Sequence, residues 1–184
     1  MPATQPPQAL SNSELEALDL MGLTTCLAQI LLHHGWQLTS AESCTGGMIS
    51  AACTDLAGSS DWFERGFVTY SNAAKTELLG VDVALIAEHG AVSEPVARAM
   101  AAGALQHSPA QVAVAVTGVA GPTGGSRLKP VGTVWFAFAV PGPSGQPLQL
   151  LSEVRRFDGD RAAVRTATVR HALQRLVELL HATP

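Results

Sequence analysis

Three short stretches of the chain gather residue types that can do chemistry. Glu42-Ser43-Cys44-Thr45-Gly46-Gly47 sets a serine and a cysteine just ahead of two glycines and an Ala-rich helical stretch. Glycines there let a ligand approach the backbone, and the first N–H groups of a helix are free to hold a developing negative charge. Either Ser43 or Cys44 could act as nucleophile, and a capped helix after a tight turn would need the same hexapeptide. Tyr70-Ser71-Asn72-Ala73-Ala74-Lys75 holds the only tyrosine, one of two asparagines and one of two lysines. A lysine with a neutral amine can activate a serine without a histidine; the alternative is an exposed helix lysine beside a half-buried tyrosine. From Thr117-Gly118 the chain runs through Gly121-Pro122-Thr123-Gly124-Gly125 to Lys129. Such a loop can offer several backbone N–H groups to a phosphate or an oxyanion. It is neither a Walker A sequence nor GxGxxG, and a plain flexible loop would have the same composition.

The elements around these clusters follow from pattern. Ser11 or Ser13 caps an expected helix reaching His34, with Gly35 as its stop, and Trp36 to Ala41 reads as a short strand. The first cluster therefore sits on a strand-to-helix turn, before a helix over 48–54, where α/β proteins place chemistry. A strand over 66–71 leads into a helix over 72–79, and Ser93 is placed to cap a further helix with Pro95 in its first turn. Val112 to Thr117 is a continuous apolar run of the buried, parallel kind. The stretch 118–130 can only be a loop, long enough to favour a functional use. Strands over 131–140 and 148–157 are separated by a turn at 141–145, and a helix from Asp160 to about His181 closes the chain. This alternation predicts an α/β single-domain sandwich with a mixed, mostly parallel sheet flanked by helices. Residues 1–12 read as a flexible, Pro-rich N-terminal tail and 13–184 as the folded domain.

Composition narrows the partners. The 184 residues include 47% apolar and only 14% charged types, with a formal net charge of −4, so the chain lacks the basic footprint of a nucleic-acid-binding domain. An anionic ligand must be met by a local site. Cys26, Cys44 and Cys53 form neither an even disulfide set nor a CxxC pair, and read as reduced thiols of a bacterial-type cytoplasm. No apolar run is long enough to span a membrane, and no export signal opens the chain. His33, His34, His89, His107, His171 and His181 show no metal-ligand spacing, so neither metal nor cofactor is expected.

Read together, the clusters resemble the CinA C-terminal domain family, whose stand-alone members are nicotinamide-nucleotide amidohydrolases. The likeness spans about residues 13–181. It is carried by AESCTGG at 41–47, GSSDWFERGFVTYSNAAK at 58–75, LLGV at 78–81, HGAVSEPVARAMA at 89–101 and TGVAGPTGGSRLKPVGTVWFAFA at 117–139. The N-terminal domain of long family members is not expected here. The resemblance implies that nicotinamide mononucleotide (NMN) is cleaved to nicotinate mononucleotide and ammonia in pyridine nucleotide salvage. It makes Ser43 the nucleophile, Lys75 its base and Tyr70 their neighbour. It also lines the substrate pocket with Asn72, Thr117, Gly118, Gly121, Gly124, Lys129 and Arg161.

In that reading Lys75 takes the Ser43 proton directly or through Tyr70, and backbone N–H groups near Thr45, Gly46 and Gly47 hold the oxyanion. The phosphate would meet the loop amides, Lys129 or Arg161. Cys44 is the rival nucleophile, and Glu42 is either a hydrogen-bond partner behind the site or an ordinary turn carboxylate. The substrate is a small pyridine nucleotide, with no nucleic acid or membrane partner, and the assembly is expected to be a homodimer. The rival function is a silent, nucleotide-binding regulatory module of a competence or damage-inducible system.

Overall fold

The computed structural model describes residues 10–142 and 146–181. Most of the expected tail and the last three residues of the expected 141–145 turn lie outside the described residues. Ser11 caps helix α1 (Asn12–Ala17), exchanging hydrogen bonds with Glu14, and Leu10 packs on the core. The single helix expected to reach His34 is two. Asp19 starts α2 (Leu20–His34) by accepting from the Gly22 N–H at 2.8 Å. The break is stabilised from afar, because Arg170 donates to the freed carbonyls of Leu18 and Glu16.

Strand β1 (Leu38–Glu42) is followed by α3 (Met48–Thr54), a short 3-10 turn at Ser59–Asp61, and β2 (Phe63–Val68). Then come α4 (Asn72–Leu79), α5 (Val83–His89), α6 (Glu94–Gln106) and β3 (Val112–Gly118). Strands β4 (Thr133–Val140) and β5 (Gln149–Arg156) precede the long α7 (Arg161–His181). The strand expected over 66–71 ends at Val68, so Tyr70 leaves the sheet and Ser71 caps α4 by accepting from the Ala74 N–H. Helix α5 escapes a pattern reading because it is only two turns, started by the Asp82 side chain. Ser93 stands at the start of α6 but its hydroxyl donates to the Gly90 carbonyl at 2.7 Å, so it tightens the preceding turn instead of capping the helix.

The sheet order is β2-β1-β3-β4-β5. Strands β2, β1 and β3 are parallel, β4 runs against β3, and β5 against β4, so four of five strands point the same way. Side chains alternate between two faces. Val112, Val114, Val116, Phe136 and Phe138 meet α2, α3 and α7, whereas Ala113, Ala115, Ala137 and Ala139 meet the layer of α4 to α6. The small residues let α6 lie close to the sheet. The parallel strands β1 and β3 both end, at their carboxyl edge, beside the turns that carry the sequence clusters.

Gly103 shows how tight this layer is. A Cβ there would stand 2.0 Å from the carbonyl oxygen of Leu79, a backbone atom with no room to move. Gly103→Ala is expected to destabilise the fold by about 1–3 kcal/mol through overpacking. Urea unfolding measures it; an unchanged midpoint would contradict the close packing of α6 on α4.

Candidate active site

Strand β1 delivers Ser43 to the carboxyl edge of the sheet, and its N–H donates to the Val116 carbonyl of β3 at 3.0 Å. Helix α4 delivers Lys75 from the other side. Its Nζ lies 3.0 Å from Ser43 Oγ and donates to the Thr69 carbonyl at 2.8 Å. Lys75 is only 1% exposed, and no ion pair joins it to a carboxylate among the described residues. Burial therefore holds its pKa below the ordinary lysine value, the neighbouring Cys44 opposing the shift by less.

The carboxylate that precedes Ser43 in the chain is spoken for. Glu42 is fully buried, and its oxygens accept from the Gly47, Ile49 and Ser50 N–H groups and from the Ser50 hydroxyl. This overturns part of the sequence reading. The start of α3 was expected to hold an oxyanion, yet Gly47 donates to Glu42 and Gly46 donates to the Ser43 carbonyl at 3.2 Å. Of the local backbone donors, the N–H groups of Cys44, Thr45 and Met48 meet no acceptor on another residue among the described residues.

Cys44 borders the same cavity, but burial raises its thiol pKa to about 11. The Cys44 backbone N–H and the positive charges of Lys75 and Arg165 offset that burial only in part, so the thiolate is scarce at neutral pH. Cys53 is pushed up still further by burial.

Ser43, Lys75, Tyr70, Asn72, Thr117, Gly118 and Arg161 converge on a cavity of about 210 Å³. Thr117 is committed within its wall, donating to the Ala91 carbonyl at 2.8 Å. Gly118 must lack a side chain, since a Cβ would come within 2.8 Å of the Thr133 carbonyl oxygen. Tyr70 is 61% exposed, and its hydroxyl accepts from Arg161, whose other amino group donates to the Gly121 carbonyl. Arg161 thus ties the glycine loop to Tyr70 across the cavity mouth.

Thr45, Gly46, Gly47, Gly121, Gly124 and Lys129 do not line this cavity. Gly46 and Gly47 shape the turn with positive φ. Gly124 is exposed in the loop. Lys129 points elsewhere: its Nζ donates to the His89 carbonyl at the end of α5, anchoring the loop where an orphan helix carbonyl needs a donor.

A second cavity of about 600 Å³ adjoins the first, sharing Ala120 and Arg161, and is lined also by Arg165 and by Gly159 to Ala162 at the start of α7. Arg165 was missed in the sequence, although it lies four residues after Arg161 and hence on the same helix face. It donates to the Thr45 carbonyl at 2.8 Å, and its Nε is buried without a partner among the described residues, as are the hydroxyls of Thr45 and Thr69. Thr69, the carbonyl acceptor for Lys75, was missed too, because nothing in its residue type marks it.

Fold and site define an α/β protein with a buried serine–lysine pair at the carboxyl ends of its parallel strands, an arrangement suited to covalent hydrolysis. The chain belongs to the CinA C-terminal domain family, whose model matches residues 21–180. It is 52% identical over 158 residues to the nicotinamide-nucleotide amidohydrolase PncC of Escherichia coli K12, covering 86% of this chain and 93% of that one. A protein of the same name from Pseudomonas putida is 54% identical over 157 residues, covering 85% and 94%. The crystal structure of a CinA superfamily protein from Klebsiella pneumoniae 700603 superposes with a TM-score of 0.82 at 40% identity, covering 90% of this chain and 99% of that one.

The thiol environment is directly testable. At neutral pH Cys44 and Cys53 are expected to resist a soluble disulfide reagent in the folded protein and to react only on unfolding. Rapid labelling of Cys44 in the native state would contradict the raised pKa.

Proposed function

We propose that the chain hydrolyses the carboxamide of nicotinamide mononucleotide, giving nicotinate mononucleotide and ammonia through an acyl-enzyme on Ser43. The observation that carries this reading is the 3.0 Å approach of Lys75 Nζ to Ser43 Oγ, in a place where the amine has lost both water and counter-ion. The names of the relatives supply the substrate class.

Neutral Lys75 takes the Ser43 proton as Oγ attacks the amide carbon. The direct contact makes a relay through Tyr70 unnecessary. The oxyanion would be met by N–H groups of Cys44 and Thr45 in place of the committed α3 amides. The Lys75 ammonium then gives its proton to the departing amide nitrogen, the C–N bond breaks, and ammonia leaves. In the second half Lys75 takes a proton from water, hydroxide attacks the ester, and the proton returns to Ser43.

The two joined cavities divide the substrate. The pyridinium ring would enter the smaller one, where its positive charge further disfavours protonation of Lys75. The ribose phosphate would extend past Arg161 into the larger one. Arg161 and Arg165 make no ion pair among the described residues, so a dianionic phosphate would find unneutralised donors at the start of α7. Lys129, tied to α5, has no part in this. The same proposal includes a homodimer acting in the cytoplasm in pyridine nucleotide salvage, its stoichiometry measurable by sedimentation. No helix among the described residues is long and apolar enough to cross a membrane.

Ammonia release from NMN tests the reading. Ser43→Ala is expected to lower kcat by at least about 1000-fold, and Lys75→Met by about 100- to 10,000-fold. Both variants should stay folded and bind NMN. Wild-type protein that binds NMN without releasing ammonia, or a Ser43→Ala variant of near-normal rate, would overturn the proposal.

Stability gives an independent check with a definite sign. A lysine pKa lower in the folded than in the unfolded state means that the unfolded chain binds more protons between the two values. Wild-type stability should therefore gain from raising the pH through that window. Lys75→Met should lose that component and be the more stable protein at pH 7, as read from urea midpoints across pH. A pH dependence identical in both proteins would contradict the lowered pKa.

A further inference from the structure

Glu42 is the only fully buried carboxylate among the described residues, and its partners are unusual. The N-cap position of helix α3 is Gly47, which has no side chain to cap it. Glu42 does the capping from the end of the preceding strand. Its Oε2 accepts from the Gly47 and Ile49 N–H groups, both at 3.0 Å, and its Oε1 from the Ser50 N–H and hydroxyl, both at 2.8 Å. The Ser40 hydroxyl adds a longer contact at 3.3 Å. Every partner is a donor, which suits an ionised carboxylate and no neutral substitute.

The backbone of Glu42 is fixed by β1, which pairs with β2 on one side and β3 on the other. Its side chain grips the start of α3. Between these two points lies the turn that carries Ser43, closed by the Gly46 N–H donating to the Ser43 carbonyl. A neighbouring strand is shaped to allow this. Gly66 of β2 lies opposite Ser40, and a Cβ on it would stand 2.0 Å from Ser50 Oγ. Its missing side chain leaves the Ser50 hydroxyl room to reach Glu42.

We propose that Glu42 is the positioning residue of the site: its carboxylate staples the start of α3 to the end of β1 and so fixes Ser43 Oγ within reach of Lys75 Nζ. The inference rests on the reading of Ser43 and Lys75 as nucleophile and base. Both carboxylate oxygens are saturated by the staple, so Glu42 also stays out of an ion pair that would keep Lys75 protonated.

The test compares wild type, Glu42→Gln and Gly66→Ala by the rate at which a fluorophosphonate labels Ser43, located by peptide mass mapping, and by kcat and KM for ammonia release from NMN. In Glu42→Gln the amide NH2 must face a donor, and labelling and kcat should both fall by about 100-fold, the scale of an ångström of misplacement. KM should stay within about threefold, since binding is not what was removed. Gly66→Ala turns the Ser50 hydroxyl away from Glu42 without touching the site, and should slow labelling by about tenfold. A folded Glu42→Gln that labels at the wild-type rate, or one in which KM rises while kcat holds, would overturn the inference. Should that variant not fold, unchanged labelling in folded Gly66→Ala would overturn it equally. Wild-type protein labelled at Ser43 but inactive on NMN would refute the substrate alone, and the labelling comparison would decide. Wild-type protein unlabelled at Ser43 would overturn the nucleophile reading and this inference with it.

Discussion

A lysine amine held out of water, with no carboxylate paired to it among the described residues, is the constraint on which this site is built. Burial disfavours the ammonium, and the chain accepts that cost at Lys75 by setting its amine against the Ser43 hydroxyl and the Thr69 carbonyl. An acid in the same place would have made a stable ion pair and left the amine protonated. The structure engages Glu42, the residue before Ser43, with the start of α3, so the charge of the carboxylate is answered by the backbone. The low overall share of charged residues fits the same need.

The fold supplies this geometry from two directions. Parallel strands bring the Ser43 turn to the carboxyl edge of the sheet, as in other open α/β folds, while α4 presents Lys75 in its first turn. The alanines that face α6 draw the second helical layer close, and the loop between α5 and α6 supplies the Ala91 carbonyl that holds Thr117 in the cavity wall. Lys129 fastens the glycine loop to α5, and Arg161 fastens it to Tyr70. The loop is therefore a braced wall, and its glycines serve backbone shape more than ligand contact.

Much of this was legible in the sequence where the signals are local. The helices at 48–54 and 72–79 follow from Gly47, Ser71 and Gly80, and the clustering of Tyr70, Asn72 and Lys75 pointed to the cavity they now line. Signals that depend on distant chain segments were not legible. The break before Asp19 leans on Arg170 from α7, and the destination of Lys129 is a carbonyl forty residues away in α5. Glu42 stayed open between a hydrogen-bond partner and a turn carboxylate because its capping role belongs to a helix that starts six residues later. Tyr70 was read as the end of a strand, since an aromatic, β-branched run continues past the point where pairing with β1 stops.

The presence of only two lysines, Lys75 and Lys129, makes the central claim open to one direct measurement. In protein labelled with carbon-13 at the lysine Cε, each side chain gives one resonance that follows the charge of its amine, and Lys129→Arg assigns the pair. The account predicts that Lys75 titrates below the ordinary lysine value of about 10.4. A Lys75 resonance that titrates at or above that value would contradict a neutral amine beside Ser43, and with it the serine–lysine chemistry.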